Sequence, residues 1–212
     1  MDTADELVPQ HANCLIDPQV PIYTVDGWKP IGKIKVGDLV LTHKGKFRKV
    51  TQLHKNNAKA HIVKIFFDKN KFITVTAKHP VLVNGKWKNA KDITIDDSIK
   101  VLAHKCNGCN ELIPIYKKYC TLSCSNKTTA KNMQKNYNNE YKFIDMPVKW
   151  IHSWVSKKNN RLYNLSVEGD ESYICKGVVV HNCRCTLIPI LYDKYDYSAA
   201  SNTADAILSD LY

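Results

Sequence analysis

The chain has 212 residues, of which 44% are apolar and 24% are charged. This composition is typical of a globular protein with one or two cored domains. No stretch approaches the roughly 18 consecutive apolar residues of a membrane span. The acidic start, MDTADELVPQ, lacks the apolar region of a signal peptide. We therefore expect a cytoplasmic, monomeric protein with no membrane-bound part.

The formal net charge of +11 is concentrated in the middle of the chain. Residues 14–103 carry 17 basic and 7 acidic side chains, whereas residues 1–13 carry three acids and no base. Such a basic segment is typical of nucleic-acid contact. It is equally typical of a β surface whose edge strands are protected by lysine, which is the interpretation we favour here.

Short strands are predicted from residue 20 to residue 103. Apolar and β-branched runs flank Asp26-Gly27 and Asn84-Gly85, two dipeptides that suit two-residue hairpin turns. The segments 61–67 and 71–77 are further strand candidates. Strand character returns from residue 143, in YNLSV and SYICKGVVVHN. The pattern predicts an all-β fold.

An internal echo spans two parts of this region. Trp28-Lys29, followed by Ile34, Val36 and Asp38, recurs 59 residues later as Trp87-Lys88, followed by Ile93, Ile95 and Asp97. One match of this length arises by chance about as readily as by duplication. If it is a duplication, it predicts two β units related by pseudo-twofold symmetry.

Four cysteines interrupt the β pattern within residues 104–142. Their spacing, C-x2-C-x10-C-x3-C, gives two close pairs joined by a loop, which suits tetrahedral coordination of zinc; the pairs are Cys106 with Cys109 and Cys120 with Cys124. The second pair begins a predicted helix. Its lysines Lys127, Lys131 and Lys135 share one face and are candidates for DNA contact. The alternative is a zinc staple that only holds the insertion together.

Three further stretches resemble the sequence blocks of inteins and of the wider Hint (hedgehog/intein) superfamily. The first opens with Cys14 and contains IKVGDLV, the second is Thr76-Ala77-Lys78-His79, and the third runs from YNLSVEGDESYICKGVVV into His181-Asn182-Cys183. The resemblance implies an all-β, horseshoe-like fold with internal pseudo-symmetry. It divides the chain into five parts. These are an N-extein segment (1–13), an N-terminal splicing half (14–103), a zinc-knuckle insert (104–142), a C-terminal splicing half (143–182) and a C-extein segment (183–212).

The resemblance also implies a self-catalysed reaction. Cys14 takes up the acyl group of Asn13 as a thioester, with His79 as general acid and Thr76 either orienting the amide or binding the oxyanion. Cys183 then attacks that thioester. Asn182 finally cyclises and releases the excised segment, assisted by His181. No cofactor is expected for this chemistry, and the partners are the chain's own flanking segments.

Two positions depart from the pattern of many inteins. Asn164 stands where an Asp is frequent, and Glu171 stands where a His is frequent. Asn164 has no carboxylate, but Glu171 can transfer a proton if burial raises its pKa. Cys175 is expected in the core or, alternatively, as a redox partner.

The flanks and the reaction class leave alternatives open. Joining the flanks gives HANCRC, which is similar to phage head-morphogenesis (minor capsid) proteins. The chain is expected to splice. The alternatives are a Hint domain that only cleaves, and a zinc-dependent DNA-binding module on a β scaffold.

Overall fold

A computed structural model of the protein describes residues 14–127 and 141–182. This part of the chain is nearly all β, with a single α-helix, α1 (Leu122–Lys127). The strands are β1 (Leu15–Ile16), β2 (Pro21–Thr24), β3 (Gly27–Pro30), β4 (Leu39–Leu41), β5 (Phe47–Ala58), β6 (His61–Asp68), β7 (Lys71–Thr76), β8 (Pro80–Val83), β9 (Lys86–Asn89), β10 (Ser98–Lys105), β11 (Leu112–Pro114), β12 (Lys142–Pro147), β13 (Trp150–Val155), β14 (Asn160–Val167), β15 (Ser172–Cys175) and β16 (Val178–His181).

All strand pairings are antiparallel among these residues. The main path runs β11-β10-β8-β16-β15-β2-β4-β5-β14-β1-β7-β6-β13, with β12, β3 and β9 attached beside β10, β2 and β8. The first strand, β1, therefore lies between β7 and β14, so the start of the described chain is held between strands that are remote in sequence. The predicted strands at 61–67 and 71–77 are confirmed as β6 and β7.

The internal echo is confirmed as a structural repeat. The hairpin β2–β3 and a 3-10 turn at Ile31–Lys33 are reproduced 59 residues later by β8–β9 and a turn at Ala90–Asp92. In each unit the lysine after the tryptophan pairs with the aspartate, Lys29 with Asp38 at 2.6 Å and Lys88 with Asp97 at 2.7 Å. The repeated sequence therefore encodes a repeated set of contacts.

One predicted turn is wrong by a residue. Asn84-Gly85 forms the two-residue turn of β8–β9, and both residues have positive φ. In β2–β3 the two turn residues are Val25 and Asp26, because Thr24 pairs directly with Gly27. Gly27 is the first residue of β3 and carries the positive φ, of 96°.

Strand alternation places one face of the β14-β1-β7-β6-β13 region in the main core. Val63, Ile65 and Phe67 of β6 are buried there with Ile73 and Val75 of β7. The intervening residues of these strands point to the opposite face, where a smaller cluster forms around Cys14, Ile62 and Leu162. Cys14 therefore lies outside the main core, on a second face of the same strands.

The predicted insert, residues 104–142, joins the sheet through strands at both of its ends. β10 continues to Lys105 and pairs with β11 and with β12. The predicted boundaries of the insert, at 104 and 142, accordingly fall within β10 and at the start of β12. Across residues 14–127 and 141–182, none of the helical segments has the length and apolar character needed to cross a membrane.

Candidate functional site

Cys14 lies at the start of β1, against the end of β7. Its backbone N–H donates a hydrogen bond to the Thr76 hydroxyl at 2.9 Å, and the Thr76 N–H donates one to the Cys14 carbonyl at 2.9 Å. In the first of these bonds the acceptor is the Thr76 side chain, whereas in a regular sheet the acceptor would be a backbone carbonyl oxygen. A hydroxyl group therefore contacts the nitrogen of the Asn13–Cys14 peptide bond.

Thr76 and His79 are brought together by a turn at the end of β7. The His79 N–H donates to the Thr76 carbonyl at 2.9 Å, and the His79 carbonyl accepts from Ala90 N–H at 3.0 Å. Both side chains are buried, that of His79 completely. The T-x-x-H spacing thus corresponds to a single turn. The hydrogen bond from Ala90, in the 3-10 turn of the second repeat, holds this turn in place.

Asn164 lies on the other side of Cys14. Leu15 pairs with Tyr163, so one further step in that antiparallel register places Cys14 beside Asn164. The Asn164 side-chain carbonyl accepts hydrogen bonds from Tyr173 Oη and from Leu165 N–H, each at 2.7 Å. These two donors fix the amide orientation, a role that an ionised aspartate oxygen would also serve.

Burial raises the pKa of the Cys14 thiol to about 12. Cys175 is also buried, in the main core as predicted, and burial raises the pKa of its thiol to about 12 as well. Thiols in such surroundings are protonated near neutral pH. A nucleophilic Cys14 therefore needs a base, or a strained amide, to react.

Asn182 lies directly after β16, which forms a hairpin with β15. Its backbone N–H donates to the Glu171 carbonyl at 2.8 Å, and its side-chain Nδ2 donates to the Val167 carbonyl at 3.1 Å. Among the described residues, no donor reaches the buried Asn182 Oδ1. The reactive side chain predicted from sequence is therefore held by its nitrogen against β14.

His181 contacts the carbonyl that this chemistry would attack. Its Nδ1 is 3.1 Å from the Asn182 carbonyl oxygen, and its Nε2 is 3.7 Å from Glu171 Oε2. The Glu171 side chain is 52% exposed, so the burial that the sequence prediction required of it is not met. Glu171 instead faces the imidazole of His181.

Sequence reasoning missed two aromatic neighbours of His181. The ring of Trp87 meets the His181 ring edge to face at 4.6 Å, and it also meets the His43 ring at 5.6 Å. His43 Nδ1 lies 2.6 Å from Ser172 Oγ, and Ser172 pairs across the hairpin with His181. Burial lowers the pKa of His43, and the Asp170 carboxylate opposes this only in part. The repeated tryptophan was the available signal for Trp87.

The two ends of the described splicing region both lie against β14. Cys14 lies beside Asn164, and the Asn182 side chain bonds to Val167, three residues further along the strand. A strand rises about 3.3 Å per residue, so these two points are separated by about 10 Å. Tyr173, in the hairpin that carries Asn182, connects them through its bond to Asn164.

The four predicted metal ligands form a cluster. The sulfur atoms of Cys106, Cys109, Cys120 and Cys124 all lie within 4.8 Å of one another. Tetrahedral coordination of zinc, with Zn–S bonds near 2.3 Å, separates sulfurs by about 3.8 Å. The cluster has room for one such ion, and thiolate ligands are what zinc prefers.

The backbone around the first pair is shaped for sulfur ligands. Gly108 N–H and Cys120 N–H donate to Cys106 Sγ at 3.4 and 3.3 Å. Burial acts to raise the pKa of Cys106, but these amide hydrogen bonds lower it more, to about 6. A Cβ at Gly108 would lie 2.8 Å from the Cys124 Cβ and carbonyl oxygen. Glycine is required here because the backbone of Cys124 lies so close to it, and not because of a positive φ.

Several predicted residues fall outside the described part of the chain. Cys183, Lys131 and Lys135 are among them, as are both flanks, 1–13 and 183–212. Lys127 is the last described residue of α1, but its side chain is not part of the description. Their predicted roles, and the phage origin of the flanks, stay predictions.

Comparison with known proteins gives three consistent results. The intein splicing domain family matches residues 31–182. Over 159 residues the chain is 38% identical to the uncharacterized protein MJ0043 of Methanocaldococcus jannaschii, a match that covers 74% of this chain but only 16% of that protein.

Solved intein structures share the fold at low sequence identity. The gp41-1 intein superimposes with a TM-score of 0.53 at 16% identity, over 79% of this chain and 98% of that one. The DnaB intein of Synechocystis sp. PCC 6803 gives 0.53 at 12% identity, over 79% and 97%. The DnaX mini intein of Spirulina platensis gives 0.53 at 17% identity, over 79% and 98%. With the family match across most of its length, the chain belongs to the intein splicing domains, autocatalytic elements of the Hint fold that act on their own flanking segments.

Proposed function

We propose that this chain excises residues 14–182 and joins its two flanks through acyl transfer at Cys14, Cys183 and Asn182. The observation that carries the proposal is the hydrogen bond from the Cys14 N–H to the Thr76 hydroxyl, at the bond that must break first. The approach of Asn182 to the same strand, β14, supports a single site for both junctions.

The first step is an N-to-S acyl shift. The Cys14 thiol gives up its proton to solvent, Sγ attacks the carbonyl carbon of Asn13, a C–S bond forms, the C–N bond breaks, and the Cys14 nitrogen takes a proton. His79 is the proposed proton donor, and Thr76 holds the nitrogen in place. Their common turn at the end of β7 supports this pairing of roles. General acid catalysis of this kind is typically worth about 10²–10⁴-fold.

The second step transfers the acyl group to Cys183. Its thiolate attacks the thioester carbon, a new C–S bond forms, and Cys14 leaves as a thiolate that regains a proton. Because Cys183 directly follows Asn182, any placement of Asn182 near β14 brings the second nucleophile toward the first. The product is a branched chain joined by a thioester.

The third step is the cyclisation of Asn182. Nδ2 attacks the Asn182 carbonyl carbon, loses a proton, and the bond to the Cys183 nitrogen breaks, leaving a succinimide. The contact of His181 Nδ1 with the carbonyl oxygen supports polarisation of that carbonyl. We assign Glu171 to orienting His181. The released amine then attacks the thioester, which converts the junction to a peptide bond.

We infer further that the cysteine cluster holds a structural zinc ion. Cys106, Cys109, Cys120 and Cys124 would be its ligands, and the sulfur spacing and the amide hydrogen bonds to Cys106 support that assignment. When bound, zinc supplies a cross-link between segments that are too short to form a core. It has no place in the acyl transfers, because no predicted splicing residue belongs to the cluster.

Mass spectrometry of the freshly expressed chain tests the proposal. Splicing gives a fragment of residues 14–182 and a ligated product of 1–13 with 183–212. A cleavage-only domain gives the same fragment with separate flanks, and a pure binding module leaves the chain intact at 24.2 kDa. In a Cys14→Ala variant, continued formation of ligated product would refute the assigned nucleophile.

A further inference from the structure

An exposed row of rings lies on β13, far from the cysteine cluster in sequence. Trp150, His152 and Trp154 alternate along the strand and stack on one another, with ring centroids 5.9 and 5.1 Å apart. Trp150 is 54% exposed and Trp154 is 36% exposed. Neither the proposed splicing steps nor the zinc site uses these side chains.

The row continues onto the neighbouring strands. Trp150 pairs with Phe66 of β6, and Phe66 pairs with Phe72 of β7. The Phe66 ring lies 4.6 Å from Trp150 and 5.2 Å from Phe72. Lys64, the cross-strand partner of His152, places its ammonium 3.8 Å from the centre of the Phe72 ring. We call these six residues the aromatic–lysine face.

More positive charge borders this face at Phe72. Lys176 lies 4.7 Å from the Phe72 ring, and Lys71 lies 5.2 Å from that of Tyr116. These lysines line one groove together with Trp28 and Phe72. Neither β7 nor β13 contains an acidic residue.

The carboxylate of β6, Asp68, is already engaged. It accepts a hydrogen bond from Tyr116 Oη at 3.0 Å and pairs with Lys117 at 3.1 Å. The aromatic–lysine face therefore presents rings and ammonium groups with no free carboxylate contributed by its three strands.

Edge-strand protection does not account for this arrangement. β13 ends the strand order, where lysine or proline would blunt unwanted pairing. Exposed tryptophans have the opposite effect, because they add apolar surface at an edge. An exposed apolar patch of this kind marks an interaction site, whose partner would cover the rings.

We propose that the aromatic–lysine face binds single-stranded nucleic acid. Such a strand supplies phosphates for Lys64, Lys71 and Lys176, and flat bases that stack on the exposed rings. A duplex carries the same charge but hides its base faces, and an acidic peptide carries charge without flat rings. The combination of lysines and rings favours the single strand over both.

The test uses the full chain carrying Cys14→Ala and Asn182→Ala, which keeps it in one piece whether or not it splices. Fluorescence anisotropy follows a labelled oligothymidylate of about 12 nucleotides. Binding is expected at low salt and should weaken with a log–log salt slope of about −2, since three phosphate contacts contribute about −0.7 each. A duplex of equal length should bind at least about tenfold more weakly.

Matched variants locate the site. Trp150→Ala and Trp154→Ala should each weaken binding about tenfold, and Trp154→Phe should retain most of it. Lys64→Gln should reduce the salt slope by about 0.7, whereas Lys33→Gln, at an exposed lysine elsewhere, should not. Thermal melts of each variant confirm that it is folded.

Four results would overturn the proposal. One is the absence of binding at low salt. Another is an oligonucleotide affinity that stays unchanged in the Trp150→Ala and Trp154→Ala variants. The third is binding lost on replacing Lys127, Lys131 and Lys135, which would place the site on the insert. A peptide of residues 1–13 that quenches tryptophan fluorescence where the oligonucleotide does not would also refute it.

Discussion

Cys14 and Thr76 exchange two hydrogen bonds, one through the peptide backbone and one through the threonine hydroxyl, both at 2.9 Å. The hydroxyl accepts from the amide nitrogen that would be the leaving group in the proposed first step. When that nitrogen takes a proton, its N–H can remain bonded to the hydroxyl. Thr76 would then hold the nitrogen throughout the proposed acyl shift.

Replacing Thr76 by valine is expected to slow thioester formation by about 10–100-fold, because it leaves the buried Cys14 N–H without a partner and frees the amide to rotate. Serine at the same position should retain most of the rate. The measurement is thiol-induced release of residues 1–13 in an Asn182→Ala background, followed by mass spectrometry. Equal rates for valine and threonine would contradict the role.

Without its proposed general acid, the first step should accelerate with rising pH. Burial raises the pKa of Cys14 to about 12, so the thiolate fraction grows about tenfold per pH unit over the whole neutral range. In a His79→Ala variant, thiol-induced release of residues 1–13 should therefore increase from about pH 6 to pH 9 without levelling near 8.5, the ordinary pKa of a cysteine. A plateau at that pH would indicate an exposed, ordinary thiol.

The β architecture was predictable because its signals are local. Asn84-Gly85 encodes its own turn through positive φ at both residues. The Lys–Asp contacts of the repeat follow from motifs that recur 59 residues apart. The shifted turn at Val25-Asp26 was not predictable from the dipeptide alone, because Gly27 can supply positive φ either inside a turn or at the strand position after it.

The candidate site stood out in the sequence only where chemistry and chain order coincide. Cys14, Thr76 and Asn182 stand out because the proposed reaction would use their functional groups. Trp87 and His43 act through space, across strands whose neighbours are set by long-range pairing. The exposure of Glu171 likewise depends on the β15–β16 hairpin, which places its backbone, not its side chain, against Asn182.

Trp87 is expected to be a positioning residue for the cyclisation of Asn182. Its ring contacts both His181 and His43, so removing it should let the His181 imidazole turn away from the Asn182 carbonyl. Trp87→Leu should slow succinimide formation about tenfold and leave thiol-induced release at Cys14 unchanged. The pseudo-symmetric variant Trp28→Leu is the matched control, because Trp28 contacts Tyr23 rather than a histidine.

A pH profile separates positioning from simple loss of stability. If Trp87 orients His181, the variant should shift the pH dependence of C-terminal cleavage as well as lower its rate. Slowing of the N-terminal and C-terminal steps by equal factors would instead point to a general loss of stability.

Metal analysis should find about one zinc per chain. Gly108→Ala should weaken zinc binding at least about tenfold, because the added Cβ would lie 2.8 Å from the backbone of Cys124. Asn107→Ala, one residue earlier and exposed, should bind zinc normally. The measurement is competition with a chromogenic chelator. Unchanged zinc content after replacing all four cysteines would refute the site.

Asp170 is expected to stabilise the fold in a pH-dependent way. Although burial alone would raise its pKa, hydrogen bonds from Lys44, Thr42 and Arg48 lower it to about 2. Because the folded pKa lies below the usual 3.8, this stabilisation is complete above about pH 4 and is lost as pH falls through 2. Asp170→Asn should therefore cost about 1–2 kcal/mol at pH 7, since the cationic partners are partly exposed.

The cost of Asp170→Asn should disappear between about pH 4 and pH 2, as the native carboxylate takes up a proton. Urea unfolding at a series of pH values measures it. Asp145→Asn is the matched control, since Asp145 pairs with Lys100 at 2.7 Å but is half exposed, and exposed pairs contribute less than about 1 kcal/mol. If both variants lose the same stability at every pH, the cluster around Asp170 has no special role. A loss confined to Asp170→Asn means that this buried carboxylate anchors β4 and β5 to the loop before the Asn182 hairpin.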